Sequence, residues 1–148
     1  MRTGVIIVPL MGPELVAAAA QALYNYNCSW LILNPQAPDL YTKKLRYLSE
    51  PPPIEPQYPQ ERWYTYEEML MRGGGDCKVL GCAAAAWRTV RLRQNSWPIV
   101  RRYKNTYHVI TGWLDKWGQL QTEDPSCVFG MEGCSTDGKV LAPYIPYR

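Results

Sequence analysis

Five prolines fall between residues 51 and 60, in the segment PPPIEPQYPQ, and they limit what this part of the chain can become. Proline lacks a backbone N–H and fixes φ, so the segment can be neither a helix nor the central strand of a sheet. We predict an extended, polyproline-like connector. It either links an N-terminal unit to the rest or lies as a strap along one domain. A length of 148 residues favours the strap, in a single domain over residues 1–148.

The part before the strap is mainly helical in pattern. Apolar residues at helical spacing predict a first helix over about 13–26, and Pro13 followed by Glu14 suits its beginning. The apolar run 28–33 is taken as a separate short segment that stops at Asn34-Pro35. The pattern leaves open whether 39–48 is a short helix or an irregular arm.

The strongest helix pattern follows the sequence Gly73-Gly74-Gly75-Asp76-Cys77 and runs over about 78–93. It contains four consecutive alanines, which are small enough to let another backbone approach closely. Upstream of it, Thr65 and Glu68 have the spacing of a capping box and predict a helical turn or two over 64–71.

Beyond residue 95 the pattern changes to strands. We predict strands over 98–103, 107–113 and 119–123, with a hairpin turn at 115–118 and loops or an edge strand near the C-terminus. Helices followed by an antiparallel sheet indicate the α+β class. Hydrophobic residues at 47% and charged residues at 20% supply enough apolar surface for a core.

The N-terminal 20 residues loosely resemble a signal peptide, but Pro9, Gly12 and Pro13 interrupt the apolar stretch and argue against one. No apolar run reaches about 18 residues, so we expect no membrane-spanning segment and no membrane partner.

The five cysteines are Cys28, Cys77, Cys82, Cys127 and Cys134. Their odd number and wide spacing do not suit a secreted disulfide framework, so we expect a reduced setting with at least one free thiol. There is no C-x2-C pair and only one histidine, which disfavours zinc. We expect neither a metal nor a cofactor.

Seven basic residues and no acid lie between Lys78 and Lys104, in a chain of net charge +3. This stretch is either an anion-facing surface, with nucleic acid as a weakly supported partner, or a solvated helix face followed by a polar strand edge. Basic residues without a nucleic-acid motif favour the second interpretation.

Cys77 has the sequence context of a nucleophile. It follows three glycines and an aspartate and opens a helix, whose free N-terminal amides stabilise a thiolate and can donate to an oxyanion. The glycines would leave room for a substrate to reach the sulfur. The alternative is a small buried hydrophobe, which is how we interpret Cys82.

His108 and Asp124 are equidistant from Lys116, the centre that we assign to the hairpin turn. Residues directly opposite each other in an antiparallel pair share a face, so the two side chains should be neighbours. A slip of one residue in the register would separate them. Cys77, His108 and Asp124 would then supply a nucleophile, a base and a residue that orients the base.

The order of these three residues resembles the transglutaminase-like (papain-like) cysteine hydrolase superfamily. More narrowly, the chain resembles small phage and prophage proteins of that superfamily in several stretches: Asn34-Pro35, PDLYTKKLRY (38–47), ERW (61–63), GGGDC (73–77), AWR (86–88), His108-Val109, EDPS (123–126) and Gly130-Met131. Of these, GGGDC and EDPS in this order are the more specific.

The resemblance implies a core in which the helix that bears Cys77 packs on an antiparallel sheet carrying His108 and Asp124. It also implies a thiol acyl-transfer site and a phage context, in the bacterial cytoplasm or in the virion. Relatives commonly have acidic residues after the cysteine, where this chain has Lys78 and Val79. Lys78 would place a positive charge near the thiolate.

Two further residues are candidates for the oxyanion or substrate part of the site. Aromatic N–H donors upstream of the cysteine serve an oxyanion in similar enzymes, which suggests Trp63; the alternative is that Trp63 packs against the proline strap. Asp76 suits the N-cap of the cysteine helix, which is a sufficient structural reason for it.

Two functions are compatible with these features. The first is a thiol hydrolase or acyltransferase that acts on a peptide or amide bond of a peptide or protein substrate. The second is a non-catalytic structural protein of a phage head, connector or tail, which uses the same fold to contact other phage proteins. Eleven tyrosines and six tryptophans suit such contacts.

Overall fold

The computed structural model describes residues 5–9, 13–49, 60–103, 106–132, 134 and 145–146. Within them lie four helices and eight strands. The helices are α1 (Pro13–Leu33), α2 (Tyr66–Arg72), α3 (Cys77–Arg91) and α4 (Pro125–Val128). The strands are β1 (Val5–Pro9), β2 (Arg46–Tyr47), β3 (Gln60–Tyr64), β4 (Gly74–Gly75), β5 (Ser96–Tyr103), β6 (Thr106–Leu114), β7 (Leu120–Glu123) and β8 (Ile145–Pro146).

The largest sheet has the order β7-β6-β5-β8, with antiparallel pairs throughout. Two small pairs accompany it: β1 with β3, which is antiparallel, and β2 with β4, which is parallel. Helices beside an antiparallel sheet confirm the predicted α+β class. None of the described helices is long and apolar enough to cross a membrane.

Helix α1 continues to Leu33, so the prediction that it ends near residue 26 is wrong. Asn27, in its middle, is fully buried, and its Oδ1 accepts the backbone N–H of Tyr66 at 2.8 Å. Tyr66 is the first residue of α2, and its amide has no partner inside that helix. Asn27 therefore joins α1 to the start of α2 instead of ending α1. The predicted stop at Asn34-Pro35 is confirmed, since α1 ends one residue earlier.

The segments between α1 and α3 agree in part with the prediction. Thr65 caps α2 and accepts the backbone N–H of Glu68 at 3.3 Å, as predicted. Residues 39–45 are irregular, and the arm contains only the short strand β2. Residues 51–59 of the proline strap lie outside the described residues, and Gln60 already belongs to β3.

Helix α3 lies between two groups of buried side chains. Leu80 and Ala84 belong to one group, with residues of α1 and α2, whereas Cys82 belongs to the other, with Leu23 and Val109. The four consecutive alanines, Ala83 to Ala86, are all fully buried. The prediction that they allow close packing is confirmed, and α3 is the central helix of the fold.

Three members of the basic stretch make ion pairs with acids: Lys78 with the neighbouring Asp76, Arg88 with Glu123, and Arg91 with Asp39 at 3.6 Å. The side chains of Lys78, Arg88 and Arg91 are only 7%, 12% and 18% exposed. For these three residues both interpretations from the sequence, an anion-facing surface and a solvated face, are wrong.

Candidate active site

Cys77 is the first residue of α3, a free thiol, and partly exposed. Asp76 caps the helix as predicted: its Oδ1 accepts the backbone N–H groups of Lys78 at 3.2 Å and of Val79 at 3.4 Å. The amide of Cys77 comes before these two and, like every first-turn amide, has no acceptor within its own helix. The sulfur and an available N–H donor are therefore side by side.

Two of the three glycines before Cys77, Gly74 and Gly75, lie against other parts of the backbone and core. A Cβ on Gly74 would lie 1.8 Å from the carbonyl oxygen of Arg46, and one on Gly75 would lie 2.5 Å from Cγ1 of Val79. Only glycine lets β2 pair with the chain at Gly74 and lets Val79 pack on Gly75. The expectation that these two positions leave room for a substrate is wrong, because β2 and α3 already fill the space.

The predicted contact between His108 and Asp124 is present. Nε2 of His108 lies 2.7 Å from Oδ2 of Asp124, and both side chains are less than 10% exposed. Oδ1 of Asp124 accepts the backbone N–H of Ser126 at 3.1 Å, because Asp124 is also the N-cap of α4. Oδ2 of Asp124 thus orients the imidazole, while Oδ1 fixes the first turn of α4, next to Asp124 itself.

The register that led to this prediction is wrong by one position at the turn. The pair Leu114↔Leu120 centres the hairpin on Trp117, not on Lys116. Gly118 closes the turn with φ 77°, and its N–H donates to Asp115 at 3.0 Å. Moving the centre by one residue moves the pairing by two, which keeps every side chain on the same face. His108 and Asp124 are therefore diagonal neighbours instead of directly opposed ones.

The imidazole of His108 interacts with both other members of the site. Burial alone lowers the pKa of His108, but hydrogen bonds to Asp124 and to Cys77, together with their charges, outweigh it and raise the pKa to about 9. Because Nε2 faces Asp124, Nδ1 is the ring nitrogen left for the thiol. An imidazole placed between a carboxylate and a thiol is the arrangement in which a base can accept the proton of a thiol nucleophile.

A close contact between α3 and β6 keeps His108 near the start of the helix. Gly81 is four residues beyond Cys77, or about 6 Å along the helix axis. A Cβ added to Gly81 would lie only 2.8 Å from Cγ1 of Val109. Thr111 Oγ1 also donates to the carbonyl oxygen of Gly81 at 2.9 Å. Val109 directly follows His108 in β6, so the close packing of Gly81 against Val109 places His108 near the N-terminal end of α3.

Trp63 is fully buried, in the same group as Leu23 and Cys82. Its indole Nε1 has no hydrogen-bond partner within the described residues. Lys78 Nζ lies 5.8 Å from the centre of its ring. The predicted oxyanion role and the alternative packing against residues 51–59 both stay untested, since neither a substrate nor that segment is described.

The positive charge of Lys78 does not stand alone beside the thiol. The Lys78 ammonium pairs with the Asp76 carboxylate, and both side chains are almost completely buried. The carboxylate thus offsets the charge that the sequence placed next to Cys77. Lys78 instead links the cap of α3 to the face of Trp63.

Tyr47 is a residue of this site that the sequence reasoning missed. It lies in β2, pairs with Gly75 and is partly buried. Burial, with the negative charges of Cys77, Asp76 and Asp124, raises the pKa of Tyr47 to about 12, against the opposing charge of Lys78. Its backbone pairs with Gly75, two residues before Cys77. The only feature of the sequence that could have pointed to Tyr47 is its place at the end of PDLYTKKLRY, one of the stretches in which the chain resembles small phage proteins.

The other cysteines are distinct from Cys77. Cys82 is fully buried, which raises the pKa of its thiol and agrees with its interpretation as a small hydrophobe. Cys127 and Cys134 form a disulfide with a Cα–Cα distance of 5.5 Å, within the usual range. This disulfide was not predicted from the sequence, whereas the prediction of at least one free thiol is confirmed, since Cys28, Cys77 and Cys82 are free.

Comparison with known proteins adds no assignment: no family model, no curated protein and no solved structure matches the chain. In the part of the chain that the structure describes, no group of three or more His, Cys, Asp or Glu side chains could hold a metal ion. The candidate site therefore rests on the geometry of Cys77, His108, Asp124 and Tyr47.

Proposed function

We propose that this chain is a thiol hydrolase or acyltransferase of the transglutaminase-like (papain-like) kind, of the type found in small phage proteins, acting on a peptide or amide bond. One observation carries the proposal. The only imidazole of the chain is hydrogen-bonded to Asp124 through Nε2, and it lies near enough to the thiol of Cys77, which opens a central helix, for that thiol to raise its pKa.

In this proposal the thiolate of Cys77 attacks the carbonyl carbon of the substrate and forms an S–C bond. The carbonyl electron pair moves to the oxygen and returns when the C–N bond breaks, while the His108 imidazolium gives its proton to the leaving amine. Water or a second amine then attacks the thioester carbon and gives a proton to His108, and the C–S bond breaks with its electron pair on sulfur, which restores the thiolate. Asp124 keeps the imidazole oriented and supports its positive charge throughout.

The first test is the alkylation of Cys77 by iodoacetamide, followed against pH by mass spectrometry. Cys28 is an internal reference because it is a free, half-buried thiol away from any imidazole, and burial raises the pKa of Cys28. At neutral pH we expect Cys77 to react at least about tenfold faster than Cys28. In His108→Ala this advantage should disappear, while the rate at Cys28 should not change.

A Cys77 that reacts no faster than Cys28 would contradict the thiol-enzyme proposal. That result would favour a phage structural protein in which the same fold is used for contacts and the site is idle. A fast Cys77 whose rate does not depend on His108 would contradict the assignment of the base.

A further inference from the structure

The hydroxyl of Tyr47 is unusually placed among the tyrosines of this chain. Three backbone hydrogen bonds fix its strand: Arg46 N–H to Gly73 O at 3.0 Å, Leu48 N–H to Gly75 O at 2.9 Å, and Tyr47 N–H to Phe129 O at 2.9 Å. The first two tie β2 to the segment just before Cys77. The third ties it to the turn that ends α4, the helix that Asp124 caps.

Strand β2 thus connects the nucleophile side of the site with the acid side. Side chains alternate along a strand, and here Arg46 is exposed whereas Tyr47 is partly buried, so the phenol points inward. It lies near enough to feel the charges of Cys77, Asp76 and Asp124. Within the described residues its hydroxyl makes no hydrogen bond, as is also true of Tyr26 and Tyr64, whereas the hydroxyls of Tyr24, Tyr41 and Tyr66 do.

A phenol in such a place is suited to donate a hydrogen bond. It stays protonated at neutral pH, and its strand is held from both sides. The backbone N–H of Cys77, the first amide of α3, is a second donor, two residues after the glycine that pairs with Tyr47. Two fixed donors near a nucleophile are what an oxyanion requires.

We propose that the Tyr47 hydroxyl and the backbone N–H of Cys77 together bind the acyl oxygen of the substrate and stabilise its negative charge in the tetrahedral intermediate. This inference rests on the proposed function, since it needs Cys77 to attack a carbonyl. It gives the paired β2 and β4 strands a role in catalysis: they position the phenol against the sulfur, and the glycines at 74 and 75 make that pairing possible.

The test compares two reactions of the same thiol. Iodoacetamide alkylates by displacement at a saturated carbon and generates no oxyanion. p-Nitrophenyl acetate acylates through a tetrahedral oxyanion: the S–C bond forms, the C–O bond breaks, and nitrophenolate leaves with the electron pair. Both rates are measured on the intact chain, with the modified cysteine identified by mass spectrometry and Cys77→Ala as the background.

Tyr47→Phe keeps the ring and removes only the hydroxyl. We expect acylation of Cys77 to be about 100-fold slower, the size of effect typical for one oxyanion donor, with alkylation changed by less than about twofold. Tyr64→Phe is the matched control: Tyr64 is also partly buried on a short strand, and its ring contact with Arg72 survives in phenylalanine. Both of its rates should equal those of the wild type.

Three results would overturn the assignment of Tyr47. They are unchanged acylation in Tyr47→Phe, an equal fall of both rates, and a wild-type Cys77 that alkylates fast but is acylated no faster than the background. In each case fast alkylation dependent on His108 would leave the proposed thiol–imidazole pair intact. Slow alkylation in the wild type would instead remove the proposed function, and the oxyanion assignment with it.

Discussion

His108 is the only histidine of the chain, so its protonation can be followed by NMR without overlap from another imidazole. An ordinary histidine titrates near 6.5. Contacts with Asp124 and Cys77 raise the pKa of His108 to about 9 despite its burial, so we expect its ring signals to change with a midpoint near pH 9.

This shift has a consequence for stability. The difference between 6.5 and about 9, at about 1.4 kcal/mol per unit, corresponds to a stabilisation on the order of 3 kcal/mol. Because the folded-state pKa is the higher one, the stabilisation is fully present below pH 6.5 and is lost as the pH rises through about 9. Unfolding in urea at a pH below this window and at a pH above it should show the difference.

Asp124→Asn removes the charge that faces Nε2 but keeps an oxygen that can accept the backbone N–H of Ser126. We expect it to lower the pKa of His108 and to flatten the dependence of stability on pH. Asp115→Asn is a suitable control, because Asp115 is an acid of the same hairpin whose side-chain hydrogen bonds stay within that hairpin, to Trp117, Gln119 and Gln121. A midpoint near 6.5 in the wild type, or one that Asp124→Asn leaves unchanged, would refute the reasoning.

Two further predictions concern the supports of the site. A change from glycine to alanine inside a helix normally raises the free energy of unfolding by up to about 1 kcal/mol, but in Gly81→Ala the new Cβ would lie 2.8 Å from Cγ1 of Val109. We therefore expect the free energy of unfolding to fall by about 1 kcal/mol and the alkylation of Cys77 to become slower. A variant more stable than the wild type would contradict this. Arg88→Met leaves the Glu123 carboxylate half-buried without its cation, for a loss of about 3 kcal/mol. Adding Glu123→Gln to Arg88→Met should recover most of that loss in urea unfolding, whereas no recovery would show that the ion pair is not its cause.

The sequence was informative where the signal is local or has a short period. The capping residues Thr65 and Asp76 are visible as polar residues just before helices, and the structure confirms both. The contact between His108 and Asp124 could be predicted although the hairpin centre was wrong, because the true pairing differs by two residues. Alternation has a period of two, so that error kept both side chains on one face.

Contacts between distant segments could not be predicted in this way. The first helix was predicted to end near residue 26, yet it continues to Leu33, and its Asn27 bonds Tyr66, 39 residues away. Arg88 looked like a solvated cation, yet its partner Glu123 lies 35 residues further along. Tyr47 had no pattern that linked it to Cys77, because a two-residue parallel pair leaves no periodicity to detect.

The central position of α3 means that the members of the site differ in how firmly they are held. Cys77 starts a 15-residue helix that is buried over Ala83 to Ala86, so it cannot separate from its neighbours without disrupting most of the core. Asp124 caps a helix of only four residues at the end of β7. A short element opens locally more easily than a central one. We therefore expect fluctuations that open this site to displace the acid first, so that His108 loses its orienting carboxylate before Cys77 leaves its place.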